Sequence, residues 1–255
     1  MSNFDRYASP RPGAGYARSG VAVDQGLRAY MIGVYNYMTI GLGVTGLVAY
    51  AAFALGTVET GNGRLALTDF GHAIYASPLR WLIVLSPLAL VFWLSARINS
   101  MSVSTARNAF IAFAALIGLS MSALLVVYTG ASIGRAFFAA AAAFASLSLY
   151  GYTTQRSLSA MGSFMMMGVI GLIVASLLNL FLHSTGLQFG ISLLAVVIFA
   201  GLTAWDTQSI KQMYFSGDSY EMVHKKSIHG ALRLYLDFIN MFQAILMLTG
   251  SQRNN

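Results

Sequence analysis

Seven apolar stretches, each close to the length that crosses a lipid bilayer, follow one another along the sequence. A helix rises about 1.5 Å per residue, so about 20 apolar residues span the hydrocarbon core. The sequence therefore predicts an all-α integral membrane protein, a seven-transmembrane-helix bundle. The predicted spans run approximately over Tyr30–Leu55, Leu79–Ala96, Ala109–Tyr128, Ile133–Tyr150, Gly162–Leu182, Phe189–Ile210 and Gly230–Gly250.

Composition excludes the main alternatives to a membrane protein. Of 255 residues, 57% are hydrophobic and only 9% are charged, whereas soluble domains carry about 25% charged residues. Cysteine is absent, which excludes disulfides, thiolate metal sites and thiol catalysis. The net charge of +7 is spread over single basic residues, with only Lys225 and Lys226 adjacent. We therefore expect no nucleic-acid partner.

Polar segments at both ends set the domain boundaries. Residues 1–26 are rich in Gly, Arg and Ser and lack the apolar core of a signal peptide, so we expect a disordered, uncleaved cytoplasmic tail. Residues 27–250 form one transmembrane domain, and residues 251–255 form a short tail. The fourth span is the weakest, because Ala139–Ala143 is small rather than strongly apolar. Small residues suit a tightly packed interior helix.

The distribution of Lys and Arg predicts the orientation, because cytoplasmic loops carry the excess of these residues. With seven spans, the amino terminus is cytoplasmic and the carboxyl terminus faces outward, as expected for a multi-pass protein of a bacterial inner membrane. One side holds Arg6, Arg11, Arg18, Arg28, Arg97, Arg107, Arg156, Lys211, Lys225, Lys226 and Arg233, and the other holds Arg64, Arg80, Arg135 and Arg253.

Two aspartates, Asp206 and Asp237, are the only carboxylates inside predicted spans; the other six of the eight fall in tails or loops. A charge in hydrocarbon costs about 2.5–3.5 kcal/mol on insertion scales, so each needs a partner, a cavity or a proton. Both lie in the cytoplasmic half of consecutive antiparallel helices, and we expect them to meet.

Several kinds of chemistry are open to such a pair. Two close carboxylates in a low-dielectric site cannot both ionise freely, so they can share a proton, accept a divalent cation or pair with an arginine. Arg97, near the cytoplasmic end of the second span, has a suitable depth. A structural reading is also open: Arg233 and Asp237 are spaced i, i+4 and can form an ion pair within the last helix. Asp206 can also extend to the interface and cap a neighbour.

Several sequence strings, in order, resemble the Bax inhibitor-1 family, also called the transmembrane Bax-inhibitor-motif family, including bacterial members. The likeness covers roughly residues 27 to 250. The strings are Trp205-Asp206-Thr207-Gln208 with Ile210-Lys211, Leu234-Tyr235-Leu236-Asp237-Phe238-Ile239-Asn240, Tyr128-Thr129-Gly130 with Ser132-Ile133 and Ala136-Phe137, Ser148-Leu149-Tyr150-Gly151-Tyr152-Thr153-Thr154, and Leu158-Ser159-Ala160-Met161-Gly162.

The resemblance implies a bundle with the last helix central and a calcium-leak activity controlled by pH. It implies that Asp206 and Asp237 form a di-aspartyl sensor for ion and proton gating. It also implies an arginine partner in the second helix soon after Phe92-Trp93, which points to Arg97, while Arg233 is a second possible partner. Weak Ca²⁺ binding by the two aspartates is compatible with a leak, since Ca²⁺ takes about 6–8 oxygens and hydroxyls such as Thr207 or water must complete the shell.

A non-conducting role is the alternative that the same resemblance leaves open. Members of the family are also linked to stress response and control of membrane proteases, so the chain can act as a membrane regulator that binds a protease or channel. An enzyme is not expected, nor is a cofactor. Gly130-Ala131-Ser132-Ile133-Gly134 fits the G-x-S-x-G pattern but opens a membrane helix instead of following a strand. A serine protease would also need His183 at matching depth.

Overall fold

The computed structural model describes residues 13–60, 64–98 and 100–253, with side chains described from residue 25 onward. Within these residues, seven helices are long and apolar enough to cross a membrane, which confirms the predicted all-α, multi-span architecture. They are α1 (Gly13–Gly56), α2 (Leu79–Arg97), α3 (Val103–Val127), α4 (Gly130–Thr153), α5 (Ser159–Leu182), α6 (Thr185–Gln212) and α7 (Tyr220–Thr249).

The connection between α1 and α2 carries the other regular structure among the described residues. A short antiparallel hairpin pairs β1 (Thr57–Glu59) with β2 (Leu65–Leu67). One helical turn at Asp69–Gly71 and a π-helical turn at His72–Ala76 then lead into α2. The other links between long helices are short, so consecutive helices run antiparallel.

Helix boundaries differ from the sequence prediction at polar segments. The first helix begins at Gly13, inside the range expected to be a disordered tail, and the first twelve residues of that tail lie outside the described residues. The last helix begins at Tyr220, ten residues before the predicted start at Gly230, because its first turns are polar. The weak fourth span is a regular helix, α4.

Hydroxyl side chains begin four of the long helices. The first amides of a helix have no partner within it, and a Ser or Thr at the N-cap accepts a hydrogen bond from one of them. In a membrane this matters more, because lipid offers no hydrogen bonds. The caps of α3, α4, α6 and α7 are Ser102, Thr129, Ser184 and Ser219, which accept from the amides of Thr105, Ser132, Leu187 and Met222.

The last helix is the most buried of the seven. In its most apolar 18-residue stretch, 61% of the residues are buried, against 6% to 33% in the corresponding stretches of the other spans. It packs against α6, α1, α4 and α3. This burial is compatible with the central position implied for the last helix, which stays a prediction. At the other extreme, only 6% of the residues in the most apolar stretch of α5 are buried, and this helix packs mainly against α6.

Two glycines let neighbouring backbones approach α6 near its inner end. A Cβ at Gly151 of α4 would lie 2.1 Å from the carbonyl oxygen of Ala204, and one at Gly162 of α5 would lie 2.1 Å from the ring of Trp205. Small residues allow this close packing of helices in lipid. The approach fixes the segment of α6 that carries Asp206.

Residues after α7 return to the turn between α3 and α4 and form a strap, Ser251–Arg253. The amide of Ser251 donates to Ser132 Oγ at 3.0 Å, and the carbonyl of Ser251 accepts from the amide of Thr129 at 3.2 Å. The amide of Arg253 donates to the carbonyl of Val127 at 2.8 Å. The strap therefore joins the end of α7 to the turn between α3 and α4.

Candidate functional site

Asp206 lies on the face of α6 that packs against α7, and it is only 6% exposed. Its carboxylate is held by Arg233 of α7 in a two-point contact. Arg233 Nη2 donates to Asp206 Oδ1, and Nε donates to Oδ2 at 3.2 Å. Such fork-to-fork pairs are among the strongest charge-assisted hydrogen bonds and fix geometry as well as charge. The pair therefore joins α6 to α7 across their interface.

Two further contacts orient the guanidinium of Arg233. Its Nη1 donates to Ser209 Oγ at 3.3 Å, one turn beyond Asp206 on α6. Its central carbon lies 5.2 Å from the centre of the Trp205 ring, a distance at which a cation is attracted by an aromatic face. Arg233 of α7 thus contacts three neighbouring side chains of α6, those of Trp205, Asp206 and Ser209.

Asp237 is buried more deeply, at 4% exposure. Its carboxyl lies close enough to that of Asp206 to share a hydrogen bond. Since two carboxylates are both acceptors, this bond exists only when one of them carries a proton. The second oxygen of Asp237, Oδ2, is buried with no hydrogen-bond partner in the described part of the chain. The structure therefore brings the two sequence-predicted aspartates together.

The charge balance of the site depends on that proton. Two carboxylates face one guanidinium, so full ionisation leaves one negative charge without a partner in a poorly solvated place. One shared proton removes it and supplies the hydrogen between the carboxyls. A bound cation would remove it in another way. The arrangement can therefore hold a proton or attract a cation.

The two candidate arginines have different positions. Arg97 ends α2 and is exposed, and it makes no ion pair among residues 13–60, 64–98 and 100–253. Its helix packs mainly on α3. Arg233 is the one that contacts an aspartate. It reaches across to Asp206 and does not form the i, i+4 ion pair with Asp237.

Residues next to Asp206 tie α6 to its other neighbours. Thr207 Oγ1 donates to the carbonyl of Thr203 at 2.8 Å and lies 3.0 Å from Ser148 Oγ of α4. Tyr35 of α1 extends this chain, with its hydroxyl 2.6 Å from Ser148 Oγ. The Thr207 hydroxyl, considered as a calcium ligand from the sequence, is thus engaged by protein groups.

Gln208 bridges α6 to the link between α4 and α5. Its Oε1 accepts from the amide of Leu158 at 2.8 Å, and its Nε2 donates to the carbonyl of Arg156 at 2.9 Å. Sequence reasoning did not assign a role to Gln208, Ser209 or Trp205. Spacing alone carried a signal for Ser209, which follows Asp206 by one turn on the same face.

The donor set bears on how a cation would be held. Among the described residues, no group of three or more His, Cys, Asp and Glu side chains is placed to hold a metal ion. Asp206 and Asp237 together supply at most four oxygens, two of which face Arg233. Any Ca²⁺ at the pair would need water or backbone carbonyls for the rest of its shell, so its binding would be weak.

The serine of the G-x-S-x-G string has a structural environment. Ser132 is buried, and its Oγ accepts from the amide of Ser251, from the hydroxyl of Thr129 at 3.0 Å and from Nη2 of Arg135 at 3.3 Å. It therefore anchors the strap to α4.

These features define a class: a multi-pass helical membrane protein whose most buried helix, α7, meets the neighbouring helix α6 at an ionisable pair. The family described as Inhibitor of apoptosis-promoting Bax1 matches residues 27–254, and the chain belongs to this Bax inhibitor-1 family.

Relatives from several bacteria cover nearly the whole chain. An uncharacterised protein of Rickettsia prowazekii is 45% identical over 231 residues, which are 91% of this chain and 93% of the relative. A protein of Caulobacter vibrioides is 40% identical over 256 residues, 99% of this chain and 100% of the relative. The inner membrane protein YbhL of Escherichia coli is 40% identical over 231 residues, 89% of this chain and 94% of the relative.

Proposed function

We propose that the chain is a pH-sensitive calcium-leak channel or transporter, gated by the pair Asp206 and Asp237. One observation carries the proposal: Arg233 pairs with Asp206 only, and the more deeply buried Asp237 beside it has no ion pair and an Oδ2 without a partner in the described chain. A purely structural ion pair needs only one carboxylate. A second, more deeply buried one has a cost that selection for stability alone does not explain.

Proton count gives the pair its gating property. The contact of Arg233 with Asp206 and the hydrogen bond between the carboxyls form together only when the pair holds one proton. Loss of that proton leaves two negative charges in contact, and a second proton leaves Arg233 without a carboxylate. Either change weakens the joint between α6 and α7 at this level. Other polar or charged groups near Arg233 are Ser209 and Trp205 on α6, His229 one turn away on α7, and Tyr30 on α1.

Calcium is the permeant ion in this proposal, and H⁺ is the ion that sets the gate. Two carboxylates attract a divalent cation, and the incomplete shell keeps its residence short. Weak binding suits conduction, because an ion that binds too tightly cannot leave. The protein as proposed uses no enzymatic chemistry and no cofactor.

Flux through purified protein in liposomes tests the proposal. We expect Ca²⁺ entry that changes across pH 6–8 and that loses its pH dependence when Asp206 and Asp237 are both replaced by Asn. Arg135→Gln, an arginine distant in sequence from the pair, serves as the charge-removal control and should keep the wild-type pH profile. The proposal of a channel is overturned if the wild type shows no Ca²⁺ flux across this pH range, or if the double Asn variant shows the same flux as the wild type.

Binding of a membrane protease or another channel distinguishes the regulator alternative. If flux is absent while the double Asn variant still captures such a partner, the chain acts as a non-conducting regulator in stress response.

We also propose placement in a bacterial inner membrane, with a cytoplasmic amino terminus and an outward carboxyl terminus. The excess of Lys and Arg on one side of the seven helices supports this orientation, and YbhL is named as an inner membrane protein. Reporter fusions active on only one side of the membrane test it: a periplasmic reporter after residue 253 should be active, and one at residue 1 should not.

A further inference from the structure

A cavity of about 490 Å³ separates α5 from α7 in the half of the bundle away from the aspartates. Three helices line it, and its walls mix apolar side chains with five polar ones. The polar lining residues are Ser176 of α5, Gln188 and Ser192 of α6, and Asn240 and Gln243 of α7.

The amides of Asn240 and Gln243 need a hydrogen-bonding occupant. Both side chains are half-buried, and neither makes a hydrogen bond within the described part of the chain. Lipid tails offer no hydrogen bonds, so a primary amide that faces them loses the partners it has in water. Water satisfies donors and acceptors of an amide together, and the volume admits on the order of ten water molecules.

The cavity has a polar mouth. A second cavity of about 340 Å³ lies at the turn between α5 and α6 and shares Ser176, Leu180 and Gln188 with the first. Asn179 and His183 also line it. Asn179 Nδ2 donates to Gln188 Oε1 at 3.1 Å. Polar groups therefore continue from the end of the bundle down to Asn240.

The inner end of the cavity points along the helices toward the aspartates. Asn240 comes three residues after Asp237 on α7, on the same side of the helix. Phe199 of α6 lines the cavity and precedes Asp206 by seven residues, about 10 Å at helical rise. Leu202, buried at 4% exposure, lies between Phe199 and Asp206. On α6 the apolar side chains of Phe199 and Leu202 therefore lie between the cavity and Asp206, while on α7 Asn240 is only three residues, about 4.5 Å of helical rise, from Asp237.

We propose that this cavity is a water-filled half-channel, open at the turn between α5 and α6, that leads hydrated cations and protons toward Asp237. Phe199 forms the apolar constriction at its inner end. The water-filled cavity is independent of the function proposed above, and the passage of ions through it rests on that function. An acyl chain of a lipid is the competing occupant.

Single cysteines test the cavity directly, because the chain has none of its own. Gln243→Cys and Asn240→Cys both replace half-buried side chains of the cavity wall, and Asn240→Cys probes the inner end. Leu193→Cys is the matched control, since Leu193 lies next to the lining residue Ser192 but is 50% exposed on the outside of the bundle. With a charged, membrane-impermeant methanethiosulfonate added to protein in nanodiscs, we expect both lining cysteines to react at least tenfold faster than Leu193→Cys.

The constriction has its own test. Leu202→Cys should stay unreactive toward the same reagent while Phe199 is present and should become reactive in the Phe199→Ala background. Equal rates for Gln243→Cys and Leu193→Cys, or reaction of the lining cysteines only with a neutral, lipid-soluble maleimide, would overturn the water-filled cavity and favour an acyl chain. Reaction of Leu202→Cys while Phe199 is still present would contradict the constriction at Phe199.

Failure of this inference and failure of the proposed function give different results. Labelling requires no ion flux, so fast labelling with no Ca²⁺ entry keeps the cavity and rejects the channel. Ca²⁺ entry with unlabelled cysteines keeps the channel and places its pathway elsewhere. Where both hold, attachment of a cationic group to Gln243→Cys should reduce Ca²⁺ flux about tenfold, and the same reagent should leave the flux of Leu193→Cys unchanged.

Discussion

The two ends of the interface between α6 and α7 treat polar side chains in opposite ways. At the inner end, Asp206, Arg233, Ser209 and Gln208 find protein partners, and neighbouring helices approach to backbone contact. At the other end, Asn240 and Gln243 face a cavity. The same two helices thus form a dry, charge-paired joint at one end and a polar space at the other, where Gln188 Nε2 and Ser192 Oγ of α6 contact Met247 Sδ of α7 at 3.5 and 3.9 Å. Because a thioether is a weak acceptor, we expect the charged joint to hold the two helices more strongly.

Removal of Arg233 should have the largest effect on this difference. Arg233→Met leaves two buried carboxyls without a counter-ion, and loss of one partner of a buried pair costs about 3 kcal/mol. Thermal unfolding in detergent should therefore occur at a markedly lower temperature. Arg97→Met, at an exposed arginine, should leave the midpoint unchanged. If both variants lose equal stability, the joint is not where the helices are held.

Neutralising each aspartate separately sharpens the comparison within the joint. Asp206→Asn removes a charge-assisted pair with Arg233 and should cost about 2 kcal/mol. Asp237→Asn removes no ion pair and still offers a donor to Asp206, so its cost should be close to zero. Unfolding midpoints of the two variants, measured side by side, should differ in that order. The reverse order would assign the arginine to Asp237.

The close approach of backbones at one end of α6 can be tested by adding a single methyl group at a glycine of each end. Gly151→Ala places a Cβ against the carbonyl of Ala204, and such overpacking costs about 1–3 kcal/mol. Gly190→Ala, on α6 at the open end, meets nothing within 4 Å and should be neutral or slightly stabilising, since Ala favours a helix. Similar midpoints for both would contradict the close packing of α4 on α6.

Amides at the open end should show the smallest effect. Asn240→Leu breaks no protein hydrogen bond in the described chain, so its stability should change by less than about 1 kcal/mol. Gln208→Leu removes two hydrogen bonds and leaves the amide of Leu158 without its partner, which costs about 1–3 kcal/mol. Unfolding midpoints check the contrast. A large loss for Asn240→Leu would indicate a protein partner for that amide.

Much of the fold follows from the sequence because hydrocarbon allows few solutions. A run of about 20 apolar residues in lipid must be helical, so hydropathy located all seven spans. It did not locate helix ends such as Tyr220, because polar turns outside the bilayer lack that signal. The cost of a buried charge singled out Asp206 and Asp237, and antiparallel packing of consecutive helices predicted that they meet.

The sequence left the partner of the aspartates open between Arg97 and Arg233, and it did not predict which aspartate the arginine contacts. Arg233 has the i, i+4 spacing to Asp237, yet its long side chain extends to α6. There it contacts the carboxylate of Asp206, the hydroxyl of Ser209 and the ring of Trp205. That choice depends on the rotation of two helices about their axes, which residue types do not specify. The cavity was hidden for a similar reason: it exists because α5 stands away from α7, and spacing within one helix does not report the distance to another.

The strap of Ser251–Arg253 has a consequence for the order of assembly. Chains begin to fold as they are made, at about 5–20 residues per second, and residues 251–253 leave the ribosome after every helix. The turn between α3 and α4, including the buried hydroxyl of Ser132, therefore forms its hydrogen bonds to the strap only after more than a hundred further residues have been synthesised. Until residues 251–253 are in place, that end of the bundle lacks these three hydrogen bonds, so its packing is completed only after the seven long helices have been made.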